Sequence, residues 1–246
     1  MSEIQSLARG LKVLEIMAEM NEGIGIMELA DQLEVNKATA SRLVHTLLSY
    51  GFVEQAPDGR RYQLGPVLVQ LSRSVINRMP LRETAKPYLH KLVKVTGECA
   101  HLAIYAQGQA LYIDQVESEA SLRVNAEVGQ MAPLYCTALG KVLLAFGDYP
   151  TPEDLEMRTA ATIITQEKLA QELDNIRRQG FAIDDEEYDE GVRCVAVPVF
   201  DFRNKIVGAV GISGPAARVS LDRLGKISAQ VIQVGQELTD RLKFKQ

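Results

Sequence analysis

Between Ile26 and Leu64 the apolar positions change period, and each change marks an element. Ile26, Leu29, Ala30 and Leu33 recur at the spacing of one helical face. Glu34-Val35-Asn36 interrupts the stripe, and the Asn36 side-chain oxygen suits an N-cap, accepting from the orphan N–H groups of the next turn. Lys37–Leu48 resumes the helical period, with Ala40, Leu43, Val44, Leu47 and Leu48 on the apolar face. Lys37, Thr39, Arg42, His45 and Thr46 fall on the other face. Gly51 ends the helix, and Phe52–Gln55 and Arg61–Leu64 read as two strands around the turn Pro57-Asp58-Gly59. Helix, tight turn, helix and basic hairpin form the layout of a winged helix-turn-helix. An earlier helix over residues 4–20 is expected to have Leu7, Leu11, Leu14, Ile16 and Met17 available for packing, completing a three-helix core. After the wing, Pro66 opens a helix whose stripe is Val67, Leu68, Leu71, Val75, Ile76 and Met79, and Pro80 is expected to stop it.

Beyond Pro80 the pattern becomes mixed. Leu81–Val95 reads as an amphipathic helix; Cys99–Ala106 and Ala110–Val116 read as strands, followed by an alternating run over Leu122–Val128. Pro133–Phe146 and Gln166–Arg178 are expected helices, the second ended by Gly180. Val192–Phe200 and Ile206–Ser213 read as strands joined by the turn Asp201–Lys205, and Leu221–Lys243 as a long closing helix. Hairpins with helices at their ends predict an antiparallel sheet covered by helices, so the chain is expected to be a multi-domain α+β protein. The expected division is 1–65 for the winged helix-turn-helix, 66–80 for a linker helix and 81–246 for the second domain.

Small polar and basic side chains at the start of a helix reach phosphates and base edges without filling a major groove. Thr39, Ser41, Arg42 and His45 are therefore candidates for base or nearby phosphate contacts, with Lys37, Arg60 and Arg61 for phosphate positioning. The net charge of −5 over 246 residues looks wrong for a DNA binder. Yet from Asn36 to Arg82 seven basic residues face two acidic ones, about +5, and the acid gathers elsewhere, as in Asp184–Glu190. Phosphate attraction acts locally under physiological screening, so a basic face suffices. The linker stripe is expected to pair with the same helix of a second subunit, since a dimer matches palindromic half-sites. Three scattered cysteines argue against a disulfide framework and for a reducing cytoplasm. No secretory leader or membrane span is expected.

In the second domain the two late strands carry unequal faces. Val195, Val197 and Val199 share one face, while Cys194, Ala196 and Pro198 share the other. Ile206, Gly208, Val210 and Ile212 lie opposite Val207, Ala209, Gly211 and Ser213. Small faces side by side leave room either for a helix or for a ligand above the sheet. The segment Ala132–Lys141 enters a helix with small residues at Thr137, Ala138 and Gly140, where backbone N–H groups suit a carboxylate. The acidic loop Asp184–Gly191 leads into the Cys194 strand.

Rival readings are a thiol enzyme, with Cys194 as nucleophile and His101 or His90 as base, and a metal site built on Cys99-x-His101 with Cys136 or Cys194. Neither has support beyond residue type. No nucleophile elbow, phosphate loop or dinucleotide glycine pattern is present, so neither catalysis nor a cofactor is expected. An architectural DNA-binding protein without a ligand is a third reading, but it gives the large second domain no task.

Ser6–Leu11, Asn36–Leu47, Pro133–Leu144 (PLYCTALGKVLL), Asp185–Val199 (DEEYDEGVRCVAVPV), Ile212–Pro215 and Arg218 together resemble the IclR family of bacterial transcriptional regulators, nearly end to end. The resemblance implies an N-terminal winged helix-turn-helix, a C-terminal GAF-like effector domain, and a homodimer or tetramer. It places the effector among Ala132, Ala138, Leu139, Asp184, Val192, Cys194 and Ser213. Gly211 stands where some relatives carry a second pocket serine.

Overall fold

The structure, a computed structural model, describes residues 3–20, 22–76, 78–124 and 126–244. The chain divides into two units, Met1–Arg78 and Met79–Gln246.

In the first unit α1 (Gln5–Ala18), α2 (Ile26–Gln32) and α3 (Lys37–Ser49) precede a hairpin of β1 (Val53–Gln55) and β2 (Tyr62–Leu64). Val13, Ile16 and Met17 of α1 meet Leu29, Val44 and Val53 in one buried core. The turn between α2 and α3 is tight: Glu34 is left-handed (φ 52°), and the Val35 N–H donates to the Ala30 carbonyl at 3.0 Å. Asn36 caps α3, its Oδ1 accepting the Thr39 N–H at 2.8 Å. Ile24 adds an isolated antiparallel bridge to Tyr62 on the far side of β2, which no periodicity signals. The last helix, α4 (Val67–Ile76), clusters with this unit, and its Val69, Leu71 and Val75 are exposed. Pro80 does not stop α4. It is the first residue of α5 (Pro80–Thr96), where a missing N–H costs nothing because the first-turn donors have no helical partner.

The second unit is a six-stranded, wholly antiparallel sheet in the order β5-β4-β3-β8-β7-β6. The strands are β3 (Cys99–Ala106), β4 (Gln109–Val116), β5 (Met131–Pro133), β6 (Ala182–Asp185), β7 (Val192–Phe200) and β8 (Ile206–Pro215). On one face α5 and α8 (Leu221–Phe244) cover Val195, Val197, Val210 and Ile212 with Leu89, Leu92, Val231 and Leu238. On the other, α6 (Ala138–Phe146) packs over Ala196 and Ala209, and α7 (Gln166–Gln179) packs against α6. The antiparallel α+β architecture expected from the pattern is the one observed.

Several expected elements change. Pro133–Phe146 is not one helix: Met131–Pro133 forms the edge strand β5, and α6 starts only at Ala138 behind the N-cap Thr137. A residue before proline is driven to extended backbone, which suits Ala132 to the strand rather than the helix. The described part of Leu122–Val128 forms no strand, and both end residues are exposed; Asn125 lies outside the described residues. The acidic run does not begin as a loop, because Asp184 and Asp185 belong to β6. The register of β7 and β8 shifts between Val199 and Phe200, so Ile206 joins the α6 side and Val207 the α5 side, against strict alternation.

Candidate functional sites

On α3, Lys37, Arg42 and His45 are exposed, while Thr39 and Ser41 are half-buried. Buried Ala40 and Val44 fix the opposite face in the core, so the polar face is turned to solvent by packing. At the wing, Gly59 takes φ 68° and the Asp58 carboxylate accepts the Arg60 and Arg61 N–H groups at 2.9 and 3.1 Å. These bonds, with the Arg61 guanidinium, hold the Asp58 carboxyl down at about 2. Arg60 is exposed. Arg61 differs from the expectation: its guanidinium is engaged by Asp58 at 2.7 Å and Glu22 at 2.9 Å, so it braces the wing as it stands.

The sheet register builds the second site. Asp184 is the Cα partner of Cys194, and Cys194 the partner of Ser213, so three residues far apart in sequence lie on one rung across β6, β7 and β8. Two rungs along, on the same face, Ala196 faces Gly211, and Gly211 faces His101 of β3. Above these rungs lies a cavity of about 70 Å³, closed from the far side by the start of α6. Of the expected pocket residues, Thr137, Ala138, Leu139, Asp184, Val192, Cys194 and Ser213 line it. Ala132 and Gly140 do not. Ala132 is buried in β5 opposite Ala110, and Gly140 is a packing residue whose absent Cβ would lie 2.5 Å from the Leu134 Cα. The Gly140 N–H is already taken by the Thr137 hydroxyl at 3.1 Å, leaving the first residues of α6 to offer donors to the cavity.

His101 and Tyr112, from β3 and β4, complete the wall with Gln130, Tyr188 and Asp189. Nothing in their local sequence marks them for this cavity. The Cys99-x-His101 spacing drew attention to His101, but toward metal or catalysis. Among the described residues no group of three or more His, Cys, Asp and Glu could hold a metal ion. Nor does any lysine or arginine line the cavity among the described residues.

Burial dominates the electrostatics. Asp184 accepts the N–H groups of Glu187 at 2.8 Å and Tyr188 at 3.4 Å, but its desolvation outweighs them and pushes the carboxyl up to about 7. Behind it Lys141, fully buried, pairs with Glu187 and reaches Glu172 at 3.4 Å. Burial, and then the neighbouring Asp184, raise the Cys194 thiol well above its ordinary value; burial pushes Cys136 up to about 12. These are shifts away from thiolate, opposite to what a nucleophile needs.

Two family models match the chain: the IclR helix-turn-helix domain over residues 6–57 and the bacterial transcriptional regulator IclR C-terminal domain over residues 73–240. The chain belongs to the IclR family. It is a transcriptional regulator with a DNA-binding helix-turn-helix domain. Among its IclR-family relatives, the HTH-type transcriptional regulator XynR of Escherichia coli is 32% identical over 247 residues, covering 98% of each chain. The IclR structure from Thermotoga maritima superposes with a TM-score of 0.74 at 29% identity, covering 98% of this chain and 100% of the other. An IclR homolog from Microbacterium hydrocarbonoxydans, solved in complex with 4-hydroxybenzoate, has the same fold, with a TM-score of 0.81 at 20% identity over 97% and 99% of the two chains.

Proposed function

We propose that this IclR-family regulator is a receptor for a small organic, aromatic or sugar acid, whose binding in the second unit changes affinity for a palindromic DNA operator. The observation that carries this reading is the cavity on the Asp184–Cys194–Ser213 rung, lined by a mix of apolar and polar groups. The first turn of α6 borders it, and helix N-termini favour anions. The 4-hydroxybenzoate held by a homolog of the same fold supports a small-molecule role. Residues 1–65 are the DNA-binding domain, 66–80 the linker and 81–246 the effector domain. Lys37, Thr39, Ser41, Arg42, His45 and Arg60 meet DNA, as does Arg61 once its carboxylate partners yield. The protein acts in the cytoplasm as a homodimer or tetramer and is not an enzyme.

Regulation requires that the effector prefer one arrangement of the protein over another; tight binding alone shifts nothing. A thermal-shift screen of small carboxylates followed by a DNA-release assay tests the reading. A ligand that binds the folded state raises the melting temperature by mass action. A hit that stabilises the protein and changes DNA affinity supports the proposal; unchanged melting across a broad panel counts against it.

A further inference from the structure

A register shift delivers Tyr112 to the cavity wall. Leu102 of β3 pairs with Asp114 of β4, yet Ala103 pairs with Tyr112, so β4 carries one extra residue, Ile113, between them. Ile113 packs on the α5 and α8 side of the sheet, where Arg82 of α5 donates from Nε to its carbonyl at 3.0 Å and reaches the Asp114 carboxylate at 3.4 Å. Tyr112 is left on the side of Ala103 and α6, and its side chain lines the cavity.

The ring is held where it stands. The Tyr112 N–H donates to the Gln130 carbonyl at 2.9 Å, and the Tyr112 carbonyl accepts the Gly129 N–H at 2.8 Å. The ring packs edge-on against His101, with centroids 5.7 Å apart and planes at 79°, and His101 is itself buried and bonded to Ser213. Burial, then the nearby Cys194 and Asp184, raise the phenol above its ordinary value, so its hydroxyl end lies within electrostatic reach of two other groups of the wall. Volume then decides what fits beside it. The cavity measures about 70 Å³. An apolar protein cavity of about 150 Å³ is a size that takes up benzene. Less than half of that leaves no room for a six-membered ring while Tyr112 keeps its place, whereas a short acid reaching the first turn of α6 needs far less.

We propose that Tyr112 sets the size of the effector, confining the cavity to acids of about two to four carbons and shutting out aromatic and sugar acids. The inference rests on the effector reading of the cavity and narrows its ligand class. The ring acts by the space it fills, and a larger ligand would have to push it into packed neighbours, which overpacked sites resist.

The test uses the full-length protein, calorimetry and two sets of probes: glycolate, lactate and pyruvate as short acids, and benzoate, 4-hydroxybenzoate and gluconate as large ones. On the unaltered protein at least one short acid should bind, about tenfold or more tighter than any large one. Tyr112→Ala should open the cavity, so that a large acid gains about tenfold; a protein that was merely destabilised would lose affinity for every probe alike. Tyr112→Phe keeps the ring and should keep the preference. A large acid that binds the unaltered protein as tightly as the best short one overturns the inference and leaves the effector reading intact, whether or not Tyr112→Ala folds. So does a folded Tyr112→Ala in which no large acid gains affinity, or a folded Tyr112→Phe that has lost the preference. Absence of binding by every probe overturns the effector reading, and this inference with it.

Discussion

Lys141 Nζ and the Glu187 carboxylate form an ion pair inside the second unit, with side chains 1% and 10% exposed. The lysine projects from the second turn of α6 and the glutamate from the loop after β6. The pair thus ties the two segments that border the cavity, from behind rather than from within it.

Removing one partner should be costly. Lys141→Met strands the Glu187 carboxylate in a desolvated site, for which about 3 kcal/mol is expected. The raised pKa of Glu187 moderates the penalty, because the carboxyl can neutralise by taking a proton. Urea unfolding should show the loss, larger at pH 8 than at pH 5, and Lys141→Met combined with Glu187→Leu should recover most of it.

Asp184 makes stability depend on pH in an unusual direction for a carboxylate. Its folded value of about 7 lies above the ordinary 3.8, so the folded state holds the proton more tightly than the unfolded chain. The stabilisation from this site is full below pH 4 and is lost as pH rises toward 7. Each tenfold in proton affinity is about 1.4 kcal/mol, so the site amounts to a few kcal/mol. Asp184→Asn should flatten the wild-type decline between pH 4 and pH 7; parallel stability curves for the two proteins would contradict this.

Gly140→Ala should destabilise although alanine is the better helix former. The new Cβ would stand 2.5 Å from the Leu134 Cα and 2.6 Å from its carbonyl oxygen, both backbone atoms. Overpacking of this kind costs about 1–3 kcal/mol, more than the ~1 kcal/mol gained in propensity. A lower melting temperature checks it.

Arg42→Ala should weaken specific DNA binding by about 1–3 kcal/mol and relax sequence preference. Arg60→Ala should weaken binding evenly across sequences and reduce the slope of log affinity against log salt by about 0.9 for one phosphate contact. Arg61→Ala should in addition loosen the wing, since it removes two ion pairs. Fluorescence anisotropy on DNA from the protein's own promoter region, across a salt series, separates the three.

Local patterns carried much of this architecture. Stripes at helical spacing and the Asn36 cap located α2 and α3, and β-period alternation located β7 and β8, because each signal lies within a dozen residues. Boundaries suffered where one residue has two uses: Pro80 can end a helix or begin one, and Ala132-Pro133 precedes a helix without joining it. Face assignment on β8 broke where the ladder bulges, since one extra residue swaps the sides of its neighbours.

The candidate site divides along the same physical line. Residues with a local signature, such as Thr137 at a helix start or Cys194 on a small-faced strand, could be read in advance and do line the cavity. His101, Tyr112 and Gln130 could not: the pairing of β3 with β8 and β4 brings the first two to it, and the Tyr112 N–H bond to the Gln130 carbonyl holds the third beside them. Arg61 carried the right charge for a phosphate, yet its carboxylate partners include Glu22, 39 residues away. The sequence by itself determined most of the helices and long strands, the basic helix face and the family. Tertiary structure decided which strands are neighbours, and so which polar atoms face one cavity and which lack a partner. The reason is range: helical period, caps and turns act over a few residues, whereas register and burial are set by the packing of segments a hundred residues apart.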